Sequence, residues 1–293
     1  MKASAFSYAR ATSISDAIEL LAAHGEQAKV LAGGQSLLPA MNLRLLAPEW
    51  IVDIGGLSEL RGISVKGGRV TIGALTRHAD LLKSVEVAAH APLLEEATGH
   101  IAHPAIRNRG TIGGSLAHAD PASELPACMV ALDATIIARG PAGERRIPAT
   151  EFFTGVYETA LSAGELLVAV ELPAAPKNSA HFFGELARRH GDYAIVGLAA
   201  QAIVENDRLS AFRTVFFGVN DRPLAAKVTA SLVKTAITPA LLLQAMEALG
   251  EELDPPEDQQ ANGMMRRHMA KVLLARCVSK LLDRPELSAG GRP

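Results

Sequence analysis

The chain opens on a helical period and then switches to runs of strand length. Ile14, Ala17, Ile18, Leu21 and Ala22 recur at helical spacing and share one face. Ser13 stands just ahead of them with Asp16 three positions on, a pattern that satisfies the first free N–H groups of a helix. Gly25 stops it. Ala28–Ala32 is a short apolar run that predicts a buried strand, Leu37–Leu45 has helical texture with Pro39 near its start, and Trp50–Ile54 predicts a second buried strand. Helix, strand, glycine turn, helix and strand together predict a small α/β unit over residues 1–56.

Beyond residue 57 the runs become shorter and more polar. Gly62–Lys66, a Gly67-Gly68 turn and Arg69–Ala74 predict a hairpin. Short helices are expected across 76–99 and near Ala122–Leu132, and strands near Ala134–Arg139 and Leu166–Leu172. The stretch Pro173–Ser179, with prolines at 173 and 176, reads as a linker. Three extended runs follow it, His181–Arg188, Ala194–Glu205 and Arg208–Val219, with Asn206-Asp207 as a turn. They predict an antiparallel sheet, joined by helices near Pro239–Leu249 and Gln260–Leu282. The expected class is α+β: a two-part module over 1–175 (parts about 1–56 and 57–175), a smaller C-terminal α+β domain over 177–285, and a disordered tail at 286–293.

Between these elements lie two glycine pairs in similar settings, Ala32-Gly33-Gly34-Gln35-Ser36 and Thr111-Ile112-Gly113-Gly114-Ser115. Adjacent glycines let the backbone approach a ligand and can turn successive N–H groups toward one point, which suits phosphate. Two such loops suggest a single diphosphate gripped from both sides.

Other chemistries fit less well. A Rossmann fingerprint starting at Gly33 would need glycine where Gln35 and Leu38 stand, and Asp53 then reads as a structural acid at a strand end. No Gly-Lys pair exists for a nucleotide-hydrolase loop. His100, His103 and His118 lack metal-ligand spacing, and Pro104 discourages a helix through His103. Glu95-Glu96 reads as a solvated face. Met264, Met265 and Met269 read as core or interface filler. Arg107-Asn108-Arg109 reads equally as charge for a diphosphate or as an exposed basic loop paired with another chain. Tyr193, opening an extended run after Gly191-Asp192, suits either a partly buried core position or the border of a flat ring.

Composition narrows the classes. At 293 residues and 48% hydrophobic the chain can bury a large core. Its net charge of −2 and lack of a basic run with aromatics argue against nucleic acid. Cys128 and Cys277 are the only cysteines and cannot hold an iron–sulfur cluster by themselves. Arg10 and Asp16 interrupt any leader-like apolar run, and no uncharged stretch reaches bilayer length. A cytoplasmic location is expected.

Four ordered stretches resemble one family: Lys29–Pro39, Ile72–His78, Ile106–Ser115 and Arg188–Ala194. They are similar to the flavin-binding medium subunit of molybdenum-containing hydroxylases, the carbon monoxide dehydrogenase group related to the flavin domain of xanthine dehydrogenase. The resemblance runs from residue 1 to about 284 without a large insertion. It implies a PCMH-type FAD-binding module followed by a smaller C-terminal domain. It also implies that Leu31, Ala32, Gly33, Gly34, Gln35, Ser36 and Leu37, with Thr111, Ile112, Gly113, Gly114 and Ser115, surround the FAD pyrophosphate. Glu124 matches an acid near the adenosine half, and Ile101, Asp120, Leu167 and Tyr193 match positions close to the cofactor. Glu185 stands where many relatives carry lysine, so no flavin-contacting lysine is assigned there.

The implied role is electron relay. A hydroxylase centre releases electrons in pairs and iron–sulfur clusters pass them singly; a flavin handles both counts. By resemblance, a large molybdopterin subunit oxidises the substrate and a small subunit carries two [2Fe–2S] centres. This chain would hold FAD and serve an external acceptor within a heterohexamer of two heterotrimers, with no catalytic acid or base of its own. The competing expectations are a self-contained FAD-dependent oxidase or dehydrogenase, and a binding module that has lost its flavin.

Overall fold

Ser13 accepts a hydrogen bond from the Asp16 N–H, as its spacing predicts, and Gly25 ends the helix with φ of 51°. That helix belongs to the first of three sheet-based units in the computed structural model, which describes residues 2–288. The unit comprises β1 (Ser7–Arg10), α1 (Ile14–His24), β2 (Ala28–Leu31), α2 (Leu37–Asn42) and β3 (Trp50–Asp53). Its strands lie parallel in the order β1-β3-β2. Strand β1 has no counterpart in the sequence reading, because its residues are mostly exposed and it exists by pairing with β3. Helix α2 stops short of Leu45, since Arg44 takes a left-handed conformation with φ of 58°.

The second unit runs through β4 (Ile63–Lys66), β5 (Arg69–Gly73), α3 (His78–Leu81), α4 (Val85–His90), α5 (Pro92–His100), α6 (Pro104–Arg107), α7 (Ile112–His118) and α8 (Glu124–Ala131). It continues through β6 (Thr135–Gly140), β7 (Gly143–Pro148), α9 (Ala149–Phe152), the short pair β8 (Phe153–Gly155) and β9 (Glu158–Thr159), and β10 (Leu166–Pro173). The five-stranded sheet is antiparallel in the order β4-β5-β10-β6-β7. Gly67 and Gly68 both have positive φ, the requirement of the tight turn joining β4 to β5. Leu57, Leu60, Leu75 and Leu166 reach into the core beneath the first sheet and weld the two units together.

The third unit holds β11 (Ser179–Leu186), β12 (Val196–Glu205), β13 (Arg208–Phe217), β14 (Leu224–Ala225), α10 (Pro239–Glu252) and α11 (Gly263–Leu282). Its antiparallel sheet, ordered as numbered, turns at Asn206 and Asp207, both left-handed. Strand alternation gives the sheet two buried faces. Phe182, Leu198, Ala200 and Phe216 pack into the core with α10 and α11. Phe183, Ala199, Val215 and Phe217 pack into the core of the second unit. Met264 and Met265 are exposed on α11 and fill no core, whereas Met269 is half-buried against it. The tail expected at 286–293 lies outside the described residues from 289 onward; Leu287 is buried in a short turn.

Candidate functional site

The first glycine pair follows β2 directly. Gly34 takes φ of 70°, and residues 31–37 are all half-buried. Among the described residues, the main-chain N–H groups of Gly33, Gly34, Gln35, Ser36 and Leu37 donate to no protein acceptor. Five consecutive donors without a protein acceptor, at the end of a strand and leading into a helix, are the kind of backbone that can receive an anion. The Gln35 amide bonds back to the Gly33 carbonyl at 3.0 Å, which fixes the turn.

The second pair differs from expectation. Thr111–Ser115 is the capped first turn of α7, not a loop, and its donors are engaged. Ile112 N–H donates to Thr76 O at 3.0 Å, Gly113 to Ala74 O at 2.9 Å and Ser115 to Thr111 O at 3.0 Å. Gly114 donates to the Thr111 hydroxyl at 3.2 Å. Gly113 is glycine for packing, because a Cβ there would lie 2.6 Å from the Ala74 Cβ. Gly33 is held by the same constraint: its Cβ would fall 2.3 Å from the Arg109 carbonyl oxygen.

Those contacts bring the two segments together. Arg109 and Gly110 press against Gly33, and a Cβ on Gly114 would sit 3.9 Å from the Ala32 Cβ. Of the Arg107-Asn108-Arg109 run, Arg107 is engaged within its own chain, while Asn108 and Arg109 are exposed. The Arg107 guanidinium donates to the carbonyls of Ile101 at 2.7 Å and Ala102 at 2.9 Å, and it shapes the loop ahead of α6. His78 lies under Gly110 with its ring buried, and burial pushes its pKa down to about 4, so it is neutral. Asp53 accepts from the Tyr8 hydroxyl at 2.6 Å and the Gly55 N–H at 2.7 Å, the bonds of a structural acid.

A second cluster forms where the second and third units meet. Asp120, buried just after α7, accepts from the Ala122 N–H at 2.9 Å and from the Tyr157 hydroxyl at 3.4 Å. Glu124 begins α8 and is only 7% exposed. Burial raises its pKa to about 8, helped by the neighbouring carboxylates of Glu185 and Asp120, so at pH 7 it holds its proton. Glu185 places one oxygen 3.4 Å from His100 Nδ1, while its other oxygen is buried and unpartnered. The Glu185 carboxylate in turn raises the His100 pKa. Tyr193 precedes β12 and is 55% exposed. Its phenol is raised to about 12, first by the protein around it and then by Asp120, Tyr157 and Glu124.

Ile101 and Leu167 are buried in the same core as Ile112. The expected residues therefore fall in two groups, the glycine segments in contact with one another, and Asp120, Glu124 and Tyr193, whose ionisable groups act on one another. Tyr157 has no place in the sequence reading, and His100 enters it only as a rejected metal ligand. Nothing local marks them: Tyr157 sits in a left-handed turn between β8 and β9, and His100 gains its partner from β11.

The donor set fits a dinucleotide carrying two phosphates, with free N–H groups at the first segment and a neutral acid further along. Among the described residues no three His, Cys, Asp or Glu side chains are placed to hold a metal ion, and no helix is long and apolar enough to cross a membrane.

Comparison with known proteins agrees with this chemistry. Residues 4–175 match the FAD binding domain in molybdopterin dehydrogenase, and 181–281 match the CO dehydrogenase flavoprotein C-terminal domain. The chain is 39% identical to the 6-hydroxypseudooxynicotine dehydrogenase complex subunit alpha of Paenarthrobacter nicotinovorans, over 97% of each chain. It is 37% identical to the carbon monoxide dehydrogenase medium chain of Hydrogenophaga pseudoflava, over 94% of this chain and 96% of that one. The solved carbon monoxide dehydrogenase from Hydrogenophaga pseudoflava superposes with a TM-score of 0.94 at 37% identity, covering 97% of this chain and 99% of its own. Quinoline 2-oxidoreductase from Pseudomonas putida 86 gives 0.91 at 38% identity, with the same coverage. The chain belongs to the family of FAD-binding medium subunits of molybdenum hydroxylases.

Proposed function

We propose that this chain carries FAD between an iron–sulfur subunit and an external electron acceptor. The observation that carries the reading is the run of five unengaged N–H groups at residues 33–37. They meet the diphosphate as donors from a preformed turn, so little ordering accompanies binding. Thr111–Ser115 set the opposite wall in this reading, and Gly114 and Ser115 are its half-buried members. Glu124, protonated at neutral pH, offers a hydroxyl donor and a carbonyl acceptor to the adenosine half without adding negative charge near the phosphates. Asp120, Ile101 and Leu167 form the bed of the site, and Tyr193 borders the ring. FAD, when bound, supplies redox chemistry that accepts or releases electrons singly or in pairs.

The partners in this reading are a small [2Fe–2S] subunit and a large molybdopterin subunit, two copies of each trio forming a cytoplasmic heterohexamer. Relatives described as a complex subunit and as medium chains support it. The division into a cofactor module over 1–175 and a C-terminal domain over 177–285 belongs to the same proposal. The test is a titration of the isolated chain with FAD, followed by anaerobic mixing with organic substrates. Uptake of FAD with no reduction until the partner subunits are added is expected. Reduction of the isolated chain by a small substrate would transfer it to the self-contained flavin enzymes. No uptake at all would end the proposal.

A further inference from the structure

Arg266 lies one turn into α11 and is 4% exposed, an uncommon place for a guanidinium. Its Nη1 donates to the carbonyl of Ile195 and, at 2.9 Å, to that of Gly218; its Nη2 reaches Asp258 at 2.6 Å. Asp258 is half-exposed, so an ion pair could form there without burying the cation. The two carbonyls are what the buried position achieves.

Both carbonyls lie on segments that lead directly to residues expected at the cofactor. Ile195 is two residues past Tyr193, and its N–H donates to Leu186 O at 2.8 Å, closing the loop that carries the tyrosine. Gly218 donates its own N–H to Pro121 O at 2.9 Å, next to Asp120. Gly218 stands at φ of 74° against Ile195, where a Cβ would meet the Ile195 oxygen at 2.6 Å. Among the described residues the Tyr193 hydroxyl makes no hydrogen bond, so the course of its loop, rather than a bond of its own, helps set where the ring stands. One side chain from the last helix thus ties together the Tyr193 loop, the turn after β13 and the segment behind Asp120.

We infer that Arg266 is a positioning residue, which fixes the Tyr193 loop against the Asp120 segment so that both face the flavin in one arrangement. The inference rests on the FAD reading above. It gives the C-terminal domain a task at the cofactor, although Arg266 lies outside the cofactor module and touches none of the residues expected there.

The test is a double-mutant cycle between Arg266→Met and Tyr193→Ala in the full chain, read as the FAD dissociation constant and the visible flavin spectrum. Each single variant is expected to weaken FAD about ten-fold and shift the flavin bands, and the double variant to be no more than about two-fold worse than either. Additive losses, or a wild-type spectrum in Arg266→Met, would overturn the inference. Asp258→Asn keeps both carbonyl bonds and is expected to bind FAD as wild type does; losses like those of Arg266→Met would overturn it in favour of a charge effect. Should Arg266→Met not fold, Gly218→Ala displaces the same Ile195 carbonyl with the arginine in place and must show the same coupling to Tyr193→Ala. If wild type binds FAD and Tyr193→Ala changes nothing, this inference fails while the FAD assignment stands. A wild-type chain that takes up no FAD removes both.

Discussion

The two glycine pairs look interchangeable in the sequence and do different work in the fold. At residues 33–37 the N–H groups are left without protein partners, and the segment stays half-open. At residues 112–115 each N–H is engaged, three by main-chain carbonyls and one by the Thr111 hydroxyl. The first segment is a donor surface. The second is a packing joint whose missing side chains let α7 close on Ala74. A doubled glycine therefore signals close approach, and only the hydrogen-bond inventory reveals whether ligand or protein does the approaching.

The largest effect should come from the joint itself. Gly33→Ala and Gly113→Ala each drive a Cβ into fixed backbone or into the Ala74 methyl, not into the ligand space. Each is expected to cost about 3 kcal/mol or more, beyond ordinary overpacking because backbone cannot swing aside. Urea unfolding of flavin-free protein measures it. If Gly113→Ala lowers FAD content but leaves the flavin-free stability intact, Gly113 serves the phosphate and not the packing of α7; the same result for Gly33→Ala would mean that its contact with Arg109 gives way and that Gly33 acts only in the donor surface.

Local signals were legible, and non-local ones were not. Ser13, Asp16 and Gly25 bracket α1 within one turn at each end, so the sequence alone placed that helix. Strand β7 went unread because Gly143–Pro148 is exposed at all but one position, leaving no alternation to detect; pairing with β6 makes it a strand. Glycine is a poor helix former, so Thr111–Ser115 read as a loop. Its helix is held by the Thr111 cap and by carbonyls of Ala74 and Thr76, some 40 residues upstream. At the site, residue types and motifs identified the glycine segments, Asp120, Glu124 and Tyr193. The meeting of Glu124 with Glu185 and His100 depends on the docking of β11 against α5, which itself packs on α8, and no spacing encodes that.

Next in size is the pH dependence contributed by Glu124, which contrasts an acid kept neutral with the donor surface at residues 33–37. Its folded pKa is about 8 against an ordinary 4.5, with Glu185, Asp120 and His100 facing it. Below pH 4.5 folded and unfolded chains both hold the proton, and the group costs nothing. Between 4.5 and 8 the unfolded chain releases it while the folded chain keeps it, so stability falls as pH rises and levels off above 8. Glu124→Gln removes that slope. Relative to wild type it should gain on the order of a few kcal/mol between pH 5 and pH 8, read from urea midpoints. Because the native group is already uncharged at pH 7, FAD affinity there should stay within about three-fold, a shift under 1 kcal/mol. A large loss of FAD at pH 7 would mean that the ionised carboxylate is the binding form.

The smallest effects come from the hydroxyls that border the two pairs, and they separate the segments most cleanly. Thr111 caps α7 through the Gly114 N–H, whereas Ser36 precedes α2 with no side-chain bond to the helix. Thr111→Val should therefore cost about 1 kcal/mol of stability, the usual worth of a cap. It also frees the Gly114 N–H, so FAD binding should fall little. Ser36→Ala should leave flavin-free stability within about 0.5 kcal/mol, as for a surface change. Its hydroxyl lies among the free donors of residues 33–37, so its loss should appear as a several-fold weaker FAD complex, about 1 kcal/mol for one hydrogen bond. Flavin fluorescence titration beside urea unfolding gives both numbers for both variants. Were Ser36→Ala to destabilise the flavin-free chain as much as Thr111→Val does, the two segments would share one structural role, and the donor surface would lose its claim to the phosphate.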